Sequence, residues 1–533
     1  MNLLFMKKPT FLSTSVFIIT TSLALTSLAA ENLAQETEKL LNEYNANPSA
    51  FMNKIPVKTA EFGQEVNSKN QFSNTKDFVS LKDKIRSKIT SSEKQGRAQI
   101  NNNNDNPASL VDNKDSMVTN LLTMDEKYKS AKLEVQPWSD TYWPLYSGNI
   151  AWRYGDSSFP NGSESEWLKV TEFYNKLIAV DLFSSDASKY DSLSPAEKYD
   201  LLVGDTNKSL TASALRSGQE IFNAYGKVEE WMGICHGWAP AAYNMPRPEK
   251  LITVTAADGK TRINFYPSDL KGLGSYLWAN AKYRSKFIGG RCNEKEPKMD
   301  KRTNRVTDQD CFDTNPGTWH TVIVNQLAIA KRSFVFDATY DYEVWNQPVL
   351  SYEYTYFNPK TKKQTNDIKK ATVKKGSVDS IRFKKFRSEN VDSVVGVSMN
   401  VSYMIENSPS QRKEDSPRYD YITSVTYLYD LELDKDQNII GGEWYENAHP
   451  DFIWTPEANF PEDTKENEGK PKYTKLKTRY DQRLDSQGAT KWNPEANEAL
   501  PKEWVVQAKA ASSEAGLPLA NIVDALVEYA NKK

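Results

Sequence analysis

A chain of 533 residues is too long for one ordinary hydrophobic core and calls for two or three folded units. Its content of 38% hydrophobic and 11% aromatic residues, with 13 Trp and 27 Tyr, excludes a disordered or coiled-coil protein. With 68 basic against 70 acidic residues the net charge is −2, which gives no global pull toward nucleic acid or an anionic membrane.

Residues 1–30 have the pattern of a secretory signal peptide. Lys7 and Lys8 precede an apolar run from Phe11 to Leu28, and Ser27-Leu28-Ala29-Ala30 offers small residues for cleavage. No second long apolar run follows. The expectation is a secreted protein, periplasmic if bacterial, with no membrane contact after cleavage and no nucleic-acid partner. Cleavage would remove two lysines and no acid, so the acidic excess grows from two to four.

Residues 31–130 are rich in Glu, Asn, Lys and Ser, and no tryptophan precedes Trp138. Two stretches, "AENLAQETEKLLNEYNA" and "NTKDFVSLKDKIRSKITSSEKQ", carry helical apolar spacing. The region reads as a helical pro-segment or N-terminal arm with a cleavable connector at Asn101–Pro107, or as a plain helical domain.

A catalytic core is expected over 131–358. Aromatic and turn residues become dense at "PWSDTYWPLYSGNIAWRYGD", Pro137 to Asp156. Ser194-Pro195-Ala196-Glu197 has the form of a capping box. Leu210 to Tyr225 predicts an amphipathic helix stopped near Gly226. "GICHGWAPAAYNM", Gly233 to Met245, follows, and its Cys235 is expected at a helix start, with Pro240 near the first turn. Further on, "WHTVIVNQL" and "SFVFDATY" predict a β-hairpin over 317–340. Residues 359–460 alternate Tyr, Val and Ile with polar residues, as an antiparallel β-rich region does. Residues 461–533 read as an extended tail ending in the helix "NIVDALVEYANKK".

The chain has three cysteines. Export implies an oxidising compartment. Cys292 and Cys311 enclose 18 polar residues, and a disulfide between them would be worth about 3 kcal/mol on the chain-entropy model. Cys235 is then left over as a reactive thiol or an intermolecular partner.

A thiol reacts as thiolate, and helix-terminal N–H groups or a nearby imidazolium lower its pKa. Adjacent residues on a helix point about a quarter-turn apart, so His236 reads as a wall residue beside Cys235. His320, on the first strand of the expected hairpin, would face Asp337 and Asp341 on the returning strand. Helix-borne Cys, then His, then Asp is the chain order of a papain-like or transglutaminase-like core. Three unrelated core residues would give the same order.

Val344-Trp345-Asn346-Gln347-Pro348-Val349 resembles the elicitor-peptide motif of the secreted transglutaminases of plant-pathogenic oomycetes and their bacterial relatives. "GICHGWAPA", "PWSDTYWPLYSGNIAWRY" and "GGEWYENAHPDFIW" resemble the same family, and the likeness runs from about residue 130 to 460. After Val349 the chain departs, with "LSYEYTY" in place of basic and Gly residues. The resemblance implies an α+β fold with a papain-like cysteine catalytic core, and a calcium-dependent protein-glutamine γ-glutamyltransferase. Its partners would be proteins with accessible glutamine and lysine, and small primary amines. It implies Cys235 as nucleophile, His320 as base and acid, and Asp337 as the group that orients the imidazole. Trp231, Trp238, Trp319 and Trp345 are the candidate aromatic walls that limit water.

Two other functions fit the same residues. One is a secreted papain-like cysteine peptidase, with water as acceptor. The other is a non-catalytic secreted effector or adhesin, with Cys235 in an intermolecular disulfide. Asp434-Lys435-Asp436-Gln437-Asn438 opens like a calcium loop, but Ile439 stands where Gly is needed and Tyr445 where Glu is needed, so a hairpin turn explains it better. No calcium site can be placed. His449 reads as structural, and the lysine pairs of 359–386 read as a solvated face.

Overall fold

The computed structural model describes residues 15–54, 58–60, 65–66, 105–160, 167–176, 186–290, 298–307, 314–338, 344–378, 381–458 and 473–532. It is a mixed fold of helices and antiparallel strands, in agreement with the α+β expectation. No described helix is long and apolar enough to cross a membrane.

In chain order the elements that matter are helix α1 (Ser15–Ala46), strand β1 (Lys58–Ala60), helix α2 (Leu121–Lys127), strand β2 (Ser130–Lys132) and helices α3 (Pro195–Val203) and α4 (Ser209–Tyr225). Helix α5 (Cys235–Asn244), strands β3 (Ile252–Thr255) and β4 (Arg262–Phe265), helix α6 (Pro267–Asn280) and strand β5 (Ser285–Gly289) follow. Then come helix α7 (Pro316–Ile323) and strands β6 (Val335–Asp337), β7 (Asn346–Phe357), β8 (Ser393–Ile405), β9 (Tyr421–Leu433), β10 (Ile439–Trp444) and β11 (Phe452–Pro456). Helices α8 (Arg479–Ser486), α9 (Lys502–Ala510) and α10 (Ala520–Asn531) close the chain.

The large sheet runs β1–β9–β8–β7–β6–β11–β5, with β10 added on β9 and β2 on β7. Its spine is the β8–β9 ladder, from Ser393 opposite Leu433 to Ile405 opposite Tyr421. Successive residues of a strand face opposite sides. Leu428 packs with Leu41 and Tyr44 of α1 and with Phe357 and Tyr445. Its neighbour Tyr427 meets Trp319 of α7. Helices therefore cover both faces, and burial along β8 and β9 is nearly continuous instead of alternating.

The capping box appears as expected, with Ser194 accepting from the Glu197 N–H and Pro195 at the first helical position. Helix α4 ends at Gly226 with φ 74°. The Asp434–Asn438 segment is the β9–β10 hairpin turn, where the Asn438 and Asp436 N–H groups donate to Asp434 Oδ1.

Two expectations change. The hairpin over 317–340 is a helix followed by one short strand. Asn315 accepts from the Gly317 N–H at 2.8 Å, Pro316 stands at the first helical position, and α7 runs on as a π-helix to Ile329. Every residue from Pro316 to Ile323 is buried, so no alternation was available to separate strand from helix. The tail after 461 carries α8 and α9 besides the expected terminal helix, and α10 lies against α6.

The described residues between 105 and 130 pack against the rest of the chain. Leu110, Val111, Leu121 and Met124 are in the main core, and Asp105 accepts from the Asn315 N–H at 2.9 Å. Asn101–Asn104 lie outside the described residues, as do Cys292, Cys311 and Asp341.

Candidate functional site

Cys235 is the first residue of α5. The turn before it is fixed by the Ile234 N–H, which donates to the Tyr142 carbonyl at 2.7 Å. The Gly237 and Trp238 N–H groups return to the Ile234 carbonyl at 2.8 and 3.0 Å. The flanking glycines permit close packing. A Cβ on Gly233 would stand 2.4 Å from the Tyr142 carbonyl oxygen, and one on Gly237 would stand 2.2 Å from the Ser275 carbonyl oxygen of α6. The helix continues through Pro240, beyond the first turn where it was expected.

The thiol is buried against the segment that begins β7. Sγ lies 3.5 Å from the Val344 carbonyl oxygen, to which the S–H donates. The Asn346 side-chain amide donates to Sγ, also at 3.5 Å. Trp454 Nε1–H donates to Asn346 Oδ1 at 2.8 Å, which fixes the amide so that its NH₂ faces the sulfur. Asn346 is paired across the ladder with Asp337. Asp337 is fully buried, and its Oδ1 accepts from the Trp345 N–H at 3.0 Å.

Burial pushes the Cys235 thiol up to about 11. The Asn346 hydrogen bond pulls it down, and the negative charges of Glu406 and Asp337 push it up. The resting group is a neutral thiol with a carboxylate close by. Glu406 is half-buried and accepts from Gln347 Nε2 at 2.7 Å.

The structure thus brings Cys235 and Asp337 together and places His320 elsewhere. His320 is on α7, fully buried, with Nδ1 2.8 Å from the Tyr429 hydroxyl and its ring edge-on to Tyr354 at 4.8 Å. Its Nε2 has no hydrogen-bond partner, and burial pushes its pKa down to about 3. The thiol meets Asn346 while the imidazole meets Tyr354, eight positions further along the same strand, which is about 26 Å of strand at about 3.3 Å per residue. The expected Cys–His–Asp triad through His320 is therefore corrected. The cause is the helix in place of the expected strand, which turns residue 320 onto the tyrosine-rich face of the sheet.

His236 is buried at the second position of α5. His449 stacks on Trp444 at 4.9 Å, which suits the structural role expected of it. Of the four candidate aromatic walls, only Trp345 is half-exposed and next to the thiol. Trp238 donates to the Trp138 carbonyl from within the core, and Trp319 is packed among Phe334, Phe336, Tyr427 and Trp444. Trp231 is buried and donates to Glu229 at 2.9 Å. These three are core residues.

Asn346, Trp454, Glu406 and Tyr142 were not singled out as site residues. Asn346 stands inside the quoted Val344–Val349 motif and could have been found there. Glu406 carries no local signal. Calcium requires six to eight oxygen ligands. Among the described residues no group of three or more His, Cys, Asp or Glu side chains is arranged to hold a metal ion, and no step is routed through calcium.

A family model described as transglutaminase elicitor matches residues 113–482. Among solved structures, the GP42 transglutaminase from Phytophthora sojae aligns at 21% identity over 65% of this chain and 88% of that chain, with a TM-score of 0.43. No curated protein matches.

Proposed function

Because the chain belongs to the transglutaminase elicitor family, we propose that it is a protein-glutamine γ-glutamyltransferase with Cys235 as its nucleophile. The observation that supports this reading best is the Cys235 thiol at a helix N-terminus, facing the oriented Asn346 amide, which pairs across the ladder with Asp337. A cysteine-bearing helix packed on antiparallel strands is the arrangement a papain-like core uses.

The reaction needs a base, because the neutral thiol must lose its proton as it attacks. Asp337 is the proposed acceptor, since it is held on β6 opposite Asn346, the residue whose amide meets the sulfur, and its charge is felt at the thiol. Sulfur attacks the γ-carboxamide carbon of a substrate glutamine, and the C–S bond forms. Asp337 then returns the proton to the leaving nitrogen, the C–N bond breaks and ammonia departs. A lysine amine attacks the thioester, gives up a proton, and expels the sulfur with an isopeptide bond formed. The Asn346 NH₂ stabilises negative charge on sulfur in the first and last steps.

The test is an acid-quenched incubation with a glutamine peptide and no amine, read by mass spectrometry. The expected product is the Cys235 peptide carrying the substrate mass less ammonia. A substrate cut in its main chain would establish the peptidase reading instead, and an unmodified Cys235 with ammonia released would refute the thioester. Running the assay with and without calcium tests the expected dependence on that ion.

A further inference from the structure

Beside the buried Cys235, Asn346 and Asp337, three side chains are only half-buried: Tyr142, Trp345 and Glu406. Trp345 stands between Val344 and Asn346, the two residues that touch the sulfur. The Tyr142 ring meets Trp345 edge-to-face, with centroids 5.3 Å apart and planes at 64°. Its hydroxyl donates to the Glu230 carbonyl at 2.5 Å, and the adjacent backbone holds the Cys235 turn. Glu406 follows the last residue of β8 and accepts from Gln347, the residue after Asn346. Burial is the main cause that raises the pKa of both Cys235 and Tyr142, and the charge of Glu406 adds to it at each, so its field reaches both groups.

We propose that Glu406, with the Tyr142–Trp345 pair, forms the amine-acceptor subsite and selects a protonated alkylamine such as the lysine ε-ammonium. The proposal rests on the transglutaminase reading. The glutamine carboxamide is uncharged and gains nothing from a carboxylate at this place. The lysine acceptor arrives as a cation, because its ordinary pKa is about 10.4. A half-exposed carboxylate raises its local concentration, and aromatic faces hold an ammonium by cation–π attraction. Before attack the ammonium gives one proton to Glu406, leaving a neutral amine with its lone pair free. As the C–N bond forms and the C–S bond breaks, the second proton passes to the leaving sulfur. The thiol is restored, and Glu406 then releases its proton to solvent.

The experiment measures KM for two acceptors with one glutamine donor, using the full chain near neutral pH. Cadaverine is cationic there and hydroxylamine is neutral. For the unaltered protein, added salt is expected to raise KM for cadaverine and leave that for hydroxylamine unchanged. In Glu406→Gln the ratio of cadaverine to hydroxylamine KM is expected to rise about tenfold, the scale of one charge-assisted hydrogen bond. Glu406→Asp should keep most of the original preference. A ratio that stays within about twofold in Glu406→Gln, or a salt response equal for both amines, would overturn the assignment. An unaltered protein that releases no ammonia from the donor and incorporates neither amine would overturn the transglutaminase reading and this subsite with it.

Discussion

At the scale of single residues, the site depends on how one amide treats one sulfur. Asn346 donates to Cys235, and its orientation is set by Trp454. Asn346→Ala removes the interaction that favours the thiolate, so the thiol's pKa is expected to rise above its present value of about 11. The pH profile of iodoacetamide alkylation should move upward, and the rate at fixed pH should fall about tenfold for each pH unit the profile moves. An unmoved profile would mean that the amide does not touch the reactive form. His320 supplies the contrast. His320→Ala leaves a cavity and strips the Tyr429 hydroxyl of its imidazole partner, with only the weaker Met399 sulfur contact left, a loss of about 3–5 kcal/mol. The alkylation rate of Cys235 in the still-folded variant should stay within about twofold, because distant sites act independently. Cys235 was legible from its place between glycines after a helix. The role of His320 was not, because an isolated histidine in a run buried on every side gives no phase.

His320 also has a signed pH consequence. Its folded pKa of about 3 lies below the ordinary 6.5. The unfolded chain therefore binds the proton more readily, and stability is lost as pH falls from about 6.5 toward 3, at about 1.4 kcal/mol per pH unit. His320→Phe should flatten the acid limb of a melting-temperature profile across that window. An acid limb equally steep in both proteins would assign it to other groups.

At the scale of elements, the position of Cys235 follows from helix packing. A Cβ on Gly237 would stand 2.5 Å from Ala279 Cβ and 2.7 Å from Ala279 N, so backbone must move. Gly237→Ala is expected to cost about 1–3 kcal/mol by overpacking. It should also change the alkylation rate of Cys235, because α5 carries the thiol at its first residue. An unchanged melting temperature and rate would show that α5 and α6 do not set the site. The sequence pattern made α3, α4 and α10 readable through a capping box, a stop glycine and an amphipathic period. The pairing of β6 with β7, which joins Asp337 to Asn346, depends on tertiary contacts that no local pattern reports.

At the scale of the whole molecule, helix α1 and the thiol occupy opposite ends of β7. Tyr44 and Leu41 pack near Phe357, while Cys235 meets Asn346 at the other end. Glu446 is buried near this N-terminal helix, with Oε2 lacking a hydrogen-bond partner, and burial pushes its pKa up to about 8. Its folded pKa lies above the unfolded value, so the folded state holds the proton more tightly and stability falls as pH rises through about 8. The melting temperature should be lower near pH 8 than near pH 6, and Glu446→Gln should reduce that difference, with about 1.4 kcal/mol per pH unit at stake. An equal difference in both proteins would place the titrating group elsewhere. The antiparallel strands β8 and β9 lie where the alternation of Tyr, Val and Ile with polar residues called for them. The docking of the N-terminal region and of the tail onto one body was not legible, because the contacts join segments hundreds of positions apart.

The most direct measurement of the central claim is incorporation of a labelled primary amine into a glutamine-bearing protein, comparing the unaltered chain with Cys235→Ser. The account predicts incorporation with ammonia release by the unaltered chain, and none by Cys235→Ser at an unchanged melting temperature. Incorporation by a folded Cys235→Ser protein would contradict it.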